Sequence, residues 1–494
     1  MIDDRLRVGV AAALCSVVIV LAWLPILRLP LTGADCWPIL VQAAGNPLDT
    51  CRQIYLERLW EGADFFRPLL TLLTAFEWRL LGETPWGWHL LRLLMVLFTA
   101  LGCGALATRA GGSRPAGLAA GALVFALHPL QWQTVPAVAR DADTLAALLG
   151  VAGLLALLSL GKGVLGRRIA GVLLLLAAPL AKETGLAMPL IGLILLLPSW
   201  WRRRRESAVQ ARVDGTLALA LAGGLLAEMA WRWWLLGSLG GYHGVVRPVS
   251  LGVRLSRLLR GLLGPESLWQ ALVVGAALVG VLLMAHRLLR QTPPAAPWTL
   301  LRIACWSWLA IGLAGALSSP RAGLRHAEVL LAPAAILAGG AWGRIWPRRR
   351  VRPALGTTTL AMMAVAGGLL LGPGSAGRLS CKSWQRAGEL SARVLELAER
   401  SARQAHRKGA QVEEDAGGYR IVARPRGEGV EVIITPFPYR PPGASNTVMA
   451  LMPYSVRAYL LARGIPDPIR VAPGRSRGSG YGPGSAGRRK TGEE

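Results

Sequence analysis

Apolar residues in this chain fall in blocks of about 20, separated by short polar clusters in which arginine dominates. Eleven blocks can be drawn, near 8–29, 87–108, 116–133, 144–160, 169–181, 185–200, 214–235, 269–286, 298–318, 326–344 and 354–372. A helix of about 20 residues, rising 1.5 Å per residue, crosses a hydrocarbon core of about 30 Å. The pattern therefore predicts an all-α polytopic membrane protein with about 11 transmembrane helices. The first block is too long for a signal peptide and lacks a small-residue cleavage site, so it reads as an anchor.

Orientation follows from Lys and Arg in short loops. With Arg5 and Arg7 inside, the inner loops carry Arg109 and Arg114, then Lys162, Arg167 and Arg168, then Arg202 to Arg205. Arg287 and Arg290 follow, and finally Arg348 to Arg350 with Arg352. Five loops then face outward, near 30–86, 130–143, 182–184, 236–268 and 319–325. The fourth opens with Gly240-Gly241-Tyr242-His243 and continues with Arg254, Arg257 and Arg260 at helical spacing, a stretch suited to the membrane interface. An odd number of spans puts the C-terminus outside as well. The expected localisation is a bacterial-type inner or plasma membrane, with the N-terminus cytoplasmic.

From about 374 the pattern changes. Residues 380–408 space apolar positions three and four apart around Leu390, Val394, Leu395 and Leu397, as an amphipathic helix does. Residues 419–423 and 430–435 alternate like strands, and a helix near 447–463 is expected. After Pro473 the Gly, Ser and Arg content predicts disorder. Three regions result: a membrane domain over 1–373, a small α+β extracytoplasmic domain over 374–470, and a basic tail over 471–494.

Charge and composition refine this picture. The 494 residues are 53% hydrophobic and carry a formal charge of +27. In a soluble chain such a charge would suggest nucleic acid. Here the arginines lie between apolar blocks, so anionic membrane lipid is the expected partner and nucleic acid is not. Six cysteines are too few for a disulfide framework. Cys15, Cys103 and Cys305 sit inside apolar blocks; Cys36 and Cys51 share the first outer loop, where both a disulfide and two thiols remain open.

Ionisable groups at membrane depth are costly and mark function by default. Asp35, His128, Arg140, Asp141, Lys182, Glu183, Arg232 and Arg325 all fall at the outer ends of expected spans. Interfacial anchoring is the plain alternative for each alone. The short blocks around Lys182-Glu183 place that pair below the headgroups, either as a site or as a buried structural pair. His128, followed by Pro129, reads as a helix-end residue or as a hydrogen-bond partner of Asp141 or of a phosphate. Six widely spaced histidines form no metal-ligand cluster.

These positions carry a resemblance. Phe66-Arg67-Pro68-Leu69 followed by Trp88-His89-Leu90-Leu91-Arg92 is similar to the "RPL … YHLxN" stretch of GT-C membrane glycosyltransferases of the O-mannosyltransferase-like group. Leu123 to Pro129 resembles that group's "LLFALHP", and Val138-Ala139-Arg140-Asp141 its "ISGRxD". Ala181 to Gly185 with Pro189 resembles "xKExxxxxP", Arg232 to Tyr242 resembles "RxxxLGxxGGY", and Arg325-His326 with Pro333 a degraded "RYLxxP". The order agrees from about 30 to 340, some two thirds of the chain.

The resemblance implies a GT-C-like fold and transfer of a sugar, with inversion, from a polyprenyl-phosphate carrier to a protein, glycan or lipid acceptor. It implies Asp35 as the base, with Asp141 the next acid considered. Such a carboxylate takes the acceptor's proton as its oxygen attacks. Arg67, His128, Arg140, Lys182, Glu183, Arg232 and Arg325 would line the donor site, its cations meeting the charge that develops on the leaving phosphate. Many members have two adjacent acids where this chain has Asp35 alone. That departure leaves a divalent metal undetermined and keeps a non-catalytic scaffold as an alternative. A transporter or lipid flippase would show inverted repeats and broken paired central spans; neither is evident.

Overall fold

The computed structural model describes residues 4–31, 36–45, 65–110, 114–128, 130–131, 134–159, 164–238, 250, 252–253, 297–318, 329–345, 376–416, 419–435 and 453–473. Asp35, Cys51, Arg325, Gly240 to His243, the Arg254–Arg260 stretch, the blocks 269–286 and 354–372, and the tail beyond 473 lie outside the described residues. The chain forms two compact units, one of Met1–Leu31 and Gln42–Gln385 and one of Thr32–Val41 and Arg386–Glu494.

The first unit is helical: α1 (Asp4–Trp23), α3 (Pro68–Leu81), α4 (Pro85–Ala110), α5 (Arg114–Ala126), α6 (Asp141–Leu157), α7 (Val164–Ala181), α8 (Ala187–Glu206), α9 (Ala208–Leu236), α10 (Pro297–Ser318) and α11 (Leu331–Ile345). The helix α2 (Cys36–Ala44) lies where the two units divide. Among the described residues five segments are long and apolar enough to span a membrane: Arg5–Arg28, Pro85–Ala110, Val164–Ala181, Glu183–Trp201 and Ala208–Leu236. The chain is an integral membrane protein on this count. Leu6, Val10, Leu14, Val17 and Leu21 form an exposed apolar stripe along α1, as a lipid-facing helix requires.

Helix ends follow local chemistry. The block expected over 116–133 stops being helix at Ala126, because the residue before Pro129 is driven out of the helical region. Ser207 caps α9 by accepting from the Gln210 N–H at 3.5 Å, and Gly237 ends it in a left-handed conformation at φ 68°. The helix α3 arises inside the stretch expected as the first outer loop. It turns Leu72, Phe76 and Leu80 outward and buries Thr71, Thr74 and Glu77.

In the first unit α4 packs against α5, α6 and α11, and α8 packs against α7, α9 and α10. Glycines set the close approach of α4, α5 and α11. A Cβ on Gly339 would stand 2.7 Å from the Gly117 carbonyl and the Gly121 nitrogen, and one on Gly104 2.5 Å from the Leu118 carbonyl. Small residues four apart, Gly117 and Gly121, let membrane helices meet backbone to backbone.

The second unit holds α12 (Ala376–Lys408) from its residue 386 onward, α13 (Pro453–Ala462), and a four-stranded sheet. Strands β1 (Val412–Ala416), β2 (Tyr419–Arg426) and β3 (Gly429–Thr435) are antiparallel neighbours; β4 (Ile469–Pro473) pairs parallel to β3 after α13. One sheet face buries Tyr419, Ile421, Ala423, Val430, Val432, Ile434 and Ile469. Trp37 meets Tyr459 edge to face, with centroids 4.8 Å apart. Strands β1 and β4 were not expected from the alternation: β1 is five residues of mostly acidic sequence, and β4 is as short.

Candidate active site

The corner between α7 and α8 organises the site. The helix α7 ends at Ala181, Lys182 is extended at φ −160° and ψ 149°, and a 3-10 turn runs over Glu183–Leu186. Gly185 is required there, because a Cβ would overlap the Ala178 backbone and stand 2.6 Å from the Pro179 nitrogen. Successive side chains on extended backbone point apart. Lys182 and Glu183 accordingly turn to different partners, Asp143 and Arg67, and the alternative of a buried structural pair between the two is not what forms.

Glu183 faces Arg67, the residue just before the first turn of α3. The Arg67 Nε donates to Oε1 at 3.0 Å and Nη2 to Oε2 at 2.7 Å, a two-pronged charge-assisted contact. These two side chains retain 12% and 18% exposure, so the pair is not sealed. Arg232 comes from the last turns of α9 and is wholly buried. Its Nη1 lies 4.0 Å from Glu183 Oε1, its Nε donates to Glu228 at 3.1 Å, and its Nη2 donates to the Pro179 carbonyl at 2.5 Å. The last contact satisfies a carbonyl at the open C-terminal end of α7. Phe65 and Phe66 lie against the two guanidinium groups, Cζ to centroid 4.4 Å for Arg67 and 5.6 Å for Arg232.

Lys182 forms an ion pair with Asp143 in the first turn of α6. Two residues earlier Asp141 is ion-paired with Arg92 of α4, and both side chains are 2% exposed. Arg92 also donates to the Val138 carbonyl at 2.9 Å and lies 3.8 Å from Glu77. Acids in the first turn of α6 also suit the positive end of that helix. Sealed against a guanidinium, Asp141 is an anchor for Arg92 and is poorly placed to take a proton from a substrate.

Arg140 occupies the N-cap position of α6 without a side-chain cap bond and is half-buried. His128, at the end of α5, accepts the Leu130 N–H on Nδ1 at 3.1 Å, the helix-end arrangement. Four of the expected residues, Arg67, Lys182, Glu183 and Arg232, thus meet at the α7–α8 corner. Asp35 and Arg325 lie outside the described residues. Among those residues no group of three His, Cys, Asp or Glu side chains is arranged to hold a metal ion.

Three partners in these clusters were not singled out from sequence: Asp143, Glu228 and Glu77. Glu228 precedes Arg232 by four residues on α9, a helical pairing distance that signals it. Asp143 follows Asp141 by two in the same run. Glu77 lies in a stretch read as loop, and its sequence context gives no signal.

No family model matches the chain, and no curated protein matches it. Solved structures give distant likenesses. An archaeal oligosaccharyltransferase, AglB from Archaeoglobus fulgidus in complex with an inhibitory peptide and a dolichol-phosphate, is 10% identical with a TM-score of 0.47. That likeness covers 78% of this chain and 56% of AglB, so the chain spans little more than half of its length. ArnT from Cupriavidus metallidurans bound to undecaprenyl phosphate is 17% identical with a TM-score of 0.43, covering 80% of this chain and 72% of ArnT.

Proposed function

We propose that this chain is a GT-C-type membrane glycosyltransferase that moves a sugar from a polyprenyl-phosphate carrier to an acceptor on the outer face of the membrane. The observation that carries the reading is the joining of Arg67, Glu183 and Arg232 in one ionic network. These residues belong to three separate motifs of the O-mannosyltransferase-like pattern, and chance offers no reason for them to converge at one helix corner.

In this reading the acceptor hydroxyl attacks the anomeric carbon, its proton passes to the Asp35 carboxylate, and the bond from that carbon to the carrier phosphate breaks. The phosphate leaves with the electron pair. Arg67, Arg140, Lys182, Arg232 and Arg325 supply the positive charge that this oxygen needs in a poorly solvated site. Glu183 holds Arg67 in place and faces Arg232. Protein, glycan and lipid acceptors all fit the scheme, and no cofactor is assigned.

A non-catalytic scaffold is the second reading. It is favoured by the ion pairing, since Arg67, Lys182 and Arg232 each already have a carboxylate partner. Membranes carrying the chain, supplied with labelled polyprenyl-phosphate sugars, separate the two. Asp35→Asn should cut sugar transfer by about two to four orders of magnitude while donor binding and folding persist. Activity above roughly a tenth of wild type would remove Asp35 from the role, and absence of transfer by the wild-type chain with any donor would favour the scaffold.

A further inference from the structure

The solvent face of the C-terminal sheet carries a charge arrangement that sugar transfer does not use. Glu431, on the central strand β3, is 6% exposed at its side chain and is surrounded by three arginines. Arg424 of β2 lies 2.6 Å away, Arg426 of β2 3.3 Å, and Arg470 of β4 3.5 Å. The sheet register explains the cluster, because Arg424 and Arg470 stand directly opposite Glu431 on its two neighbouring strands. The Arg424 hydrogen bond, together with the charges of Arg426 and Arg470, holds the Glu431 carboxyl below the usual carboxylate range. One fixed negative charge therefore orients three guanidinium groups that are each about half exposed, and the cluster keeps two net positive charges.

We propose that this face binds a linear acidic glycan, a carbohydrate chain bearing repeated carboxylate or phosphate groups. Strand spacing and rise place the three arginine backbones at the corners of a triangle with sides of roughly 7, 10 and 12 Å, wide enough to meet successive charges on one chain. Guanidinium groups anchored from behind lose little freedom on meeting an anion. The acids of the edge strand favour a single chain over a flat anionic bilayer. Glu413 and Asp415 of the edge strand β1 project from the same face, beside Arg420, and would repel a negatively charged plane. A strand laid across Arg424, Arg426 and Arg470 avoids them. Single-stranded nucleic acid is disfavoured because the described residues of this face include no aromatic ring for base stacking. Glu428, in the tight turn with Gly427, marks one end of the strip.

The test uses the full chain in a neutral detergent and fluorescence anisotropy. The probes are size-defined polygalacturonate, neutral dextran of equal length and a single-stranded oligonucleotide of equal charge. Polygalacturonate should bind, weaken as salt rises, and lose about tenfold or more in affinity in the Arg424→Gln, Arg426→Gln, Arg470→Gln triple variant. Dextran should not bind. A control triple on α12, Arg393→Gln, Arg400→Gln and Arg407→Gln, removes the same charge from another exposed surface and should leave affinity within about twofold. Should the sheet triple fail to fold, the single Arg470→Gln variant should still weaken binding severalfold. Equal losses in the two triples would reduce the effect to bulk charge and overturn the proposal. No binding of polygalacturonate, or oligonucleotide binding as tight, would overturn it as well.

Discussion

At the scale of single residues, Lys182 has a partner that its neighbours in sequence do not reveal. The motif around it announces an intramembrane ion pair, and adjacency suggests Glu183, but extended backbone sends the two side chains apart. Lys182 reaches Asp143 instead, and Glu183 reaches Arg67. Removing one member of a buried pair strands the other, at a cost of roughly 3–5 kcal/mol. Lys182→Met should therefore lower the thermal stability of the purified protein. Asp143→Asn added to it should restore most of the loss, whereas Glu183→Gln added to it should not. Rescue by Glu183→Gln would contradict the pairing described here. Donor binding measured on the same three proteins adds the functional half: a stable Lys182→Met, Asp143→Asn double variant that no longer binds polyprenyl phosphate would place Lys182 in the donor site. Four of the gathered residues, Arg67, Lys182, Glu183 and Arg232, were legible from the motifs, and Asp143 and Glu228 were not. Who pairs with whom was not, because pairing depends on a backbone turn that Gly185 permits and that hydrophobic pattern cannot express.

Among the elements, the apolar blocks coincide with the five long apolar segments of the described residues and place helix ends poorly. A search for blocks of about 20 apolar residues finds α4, α7, α8 and α9 but passes over the 14-residue α3, whose cap holds Arg67. It also runs α5 through to 133, past the proline that stops it. The same helices carry a feature that fixes their depth. Trp200 and Trp201 lie one to two turns before the end of α8, while Trp231, Trp233 and Trp234 close α9, and four of these five rings are exposed. Trp200 lies level with Gly215 of α9, where an added Cβ would stand 3.0 Å from its ring nitrogen. The 16 to 19 residues from Gly215 to Trp231 and Trp234 rise about 24 to 29 Å. Two aromatic belts that far apart match the two interfaces of a bilayer, and Arg232, between Trp231 and Trp233, then sits at headgroup depth. Thermal stability in phosphatidylcholine bilayers of graded thickness should peak at a hydrocarbon core of about 27 Å. A peak in the thickest bilayers, or no dependence on thickness, would refute the belt assignment.

For the whole molecule the prominent property is the separation of charge along the bundle. The α7–α8 corner gathers cations and carboxylates in close balance, with Arg67, Arg92, Lys182 and Arg232 set against Glu77, Asp141, Asp143, Glu183 and Glu228. The opposite ends of α7, α8 and α9 carry the Arg168–Asp214 pair at 2.5 Å and, in sequence, the run Arg202 to Arg205. Sequence made this polarity legible, since the positive-inside rule reads only loop composition. It left the interior of the site and the register of the sheet unseen, because both depend on residues far apart in the chain. Lys and Arg near span ends are retained on the cytoplasmic side, so the arginine run should be cytoplasmic and the corner should open to the opposite face. Reporter fusions test this on one helix. A reporter that works only in the cytoplasm should be active after Glu206, and one that works only outside should be active after Leu236, at the far end of α9. The reverse pattern would put Arg67, Lys182 and Arg232 on the cytoplasmic side and overturn transfer at the outer face. It would also move the C-terminal unit relative to any extracytoplasmic acidic glycan, so a third fusion after Pro473 should agree with the one after Leu236.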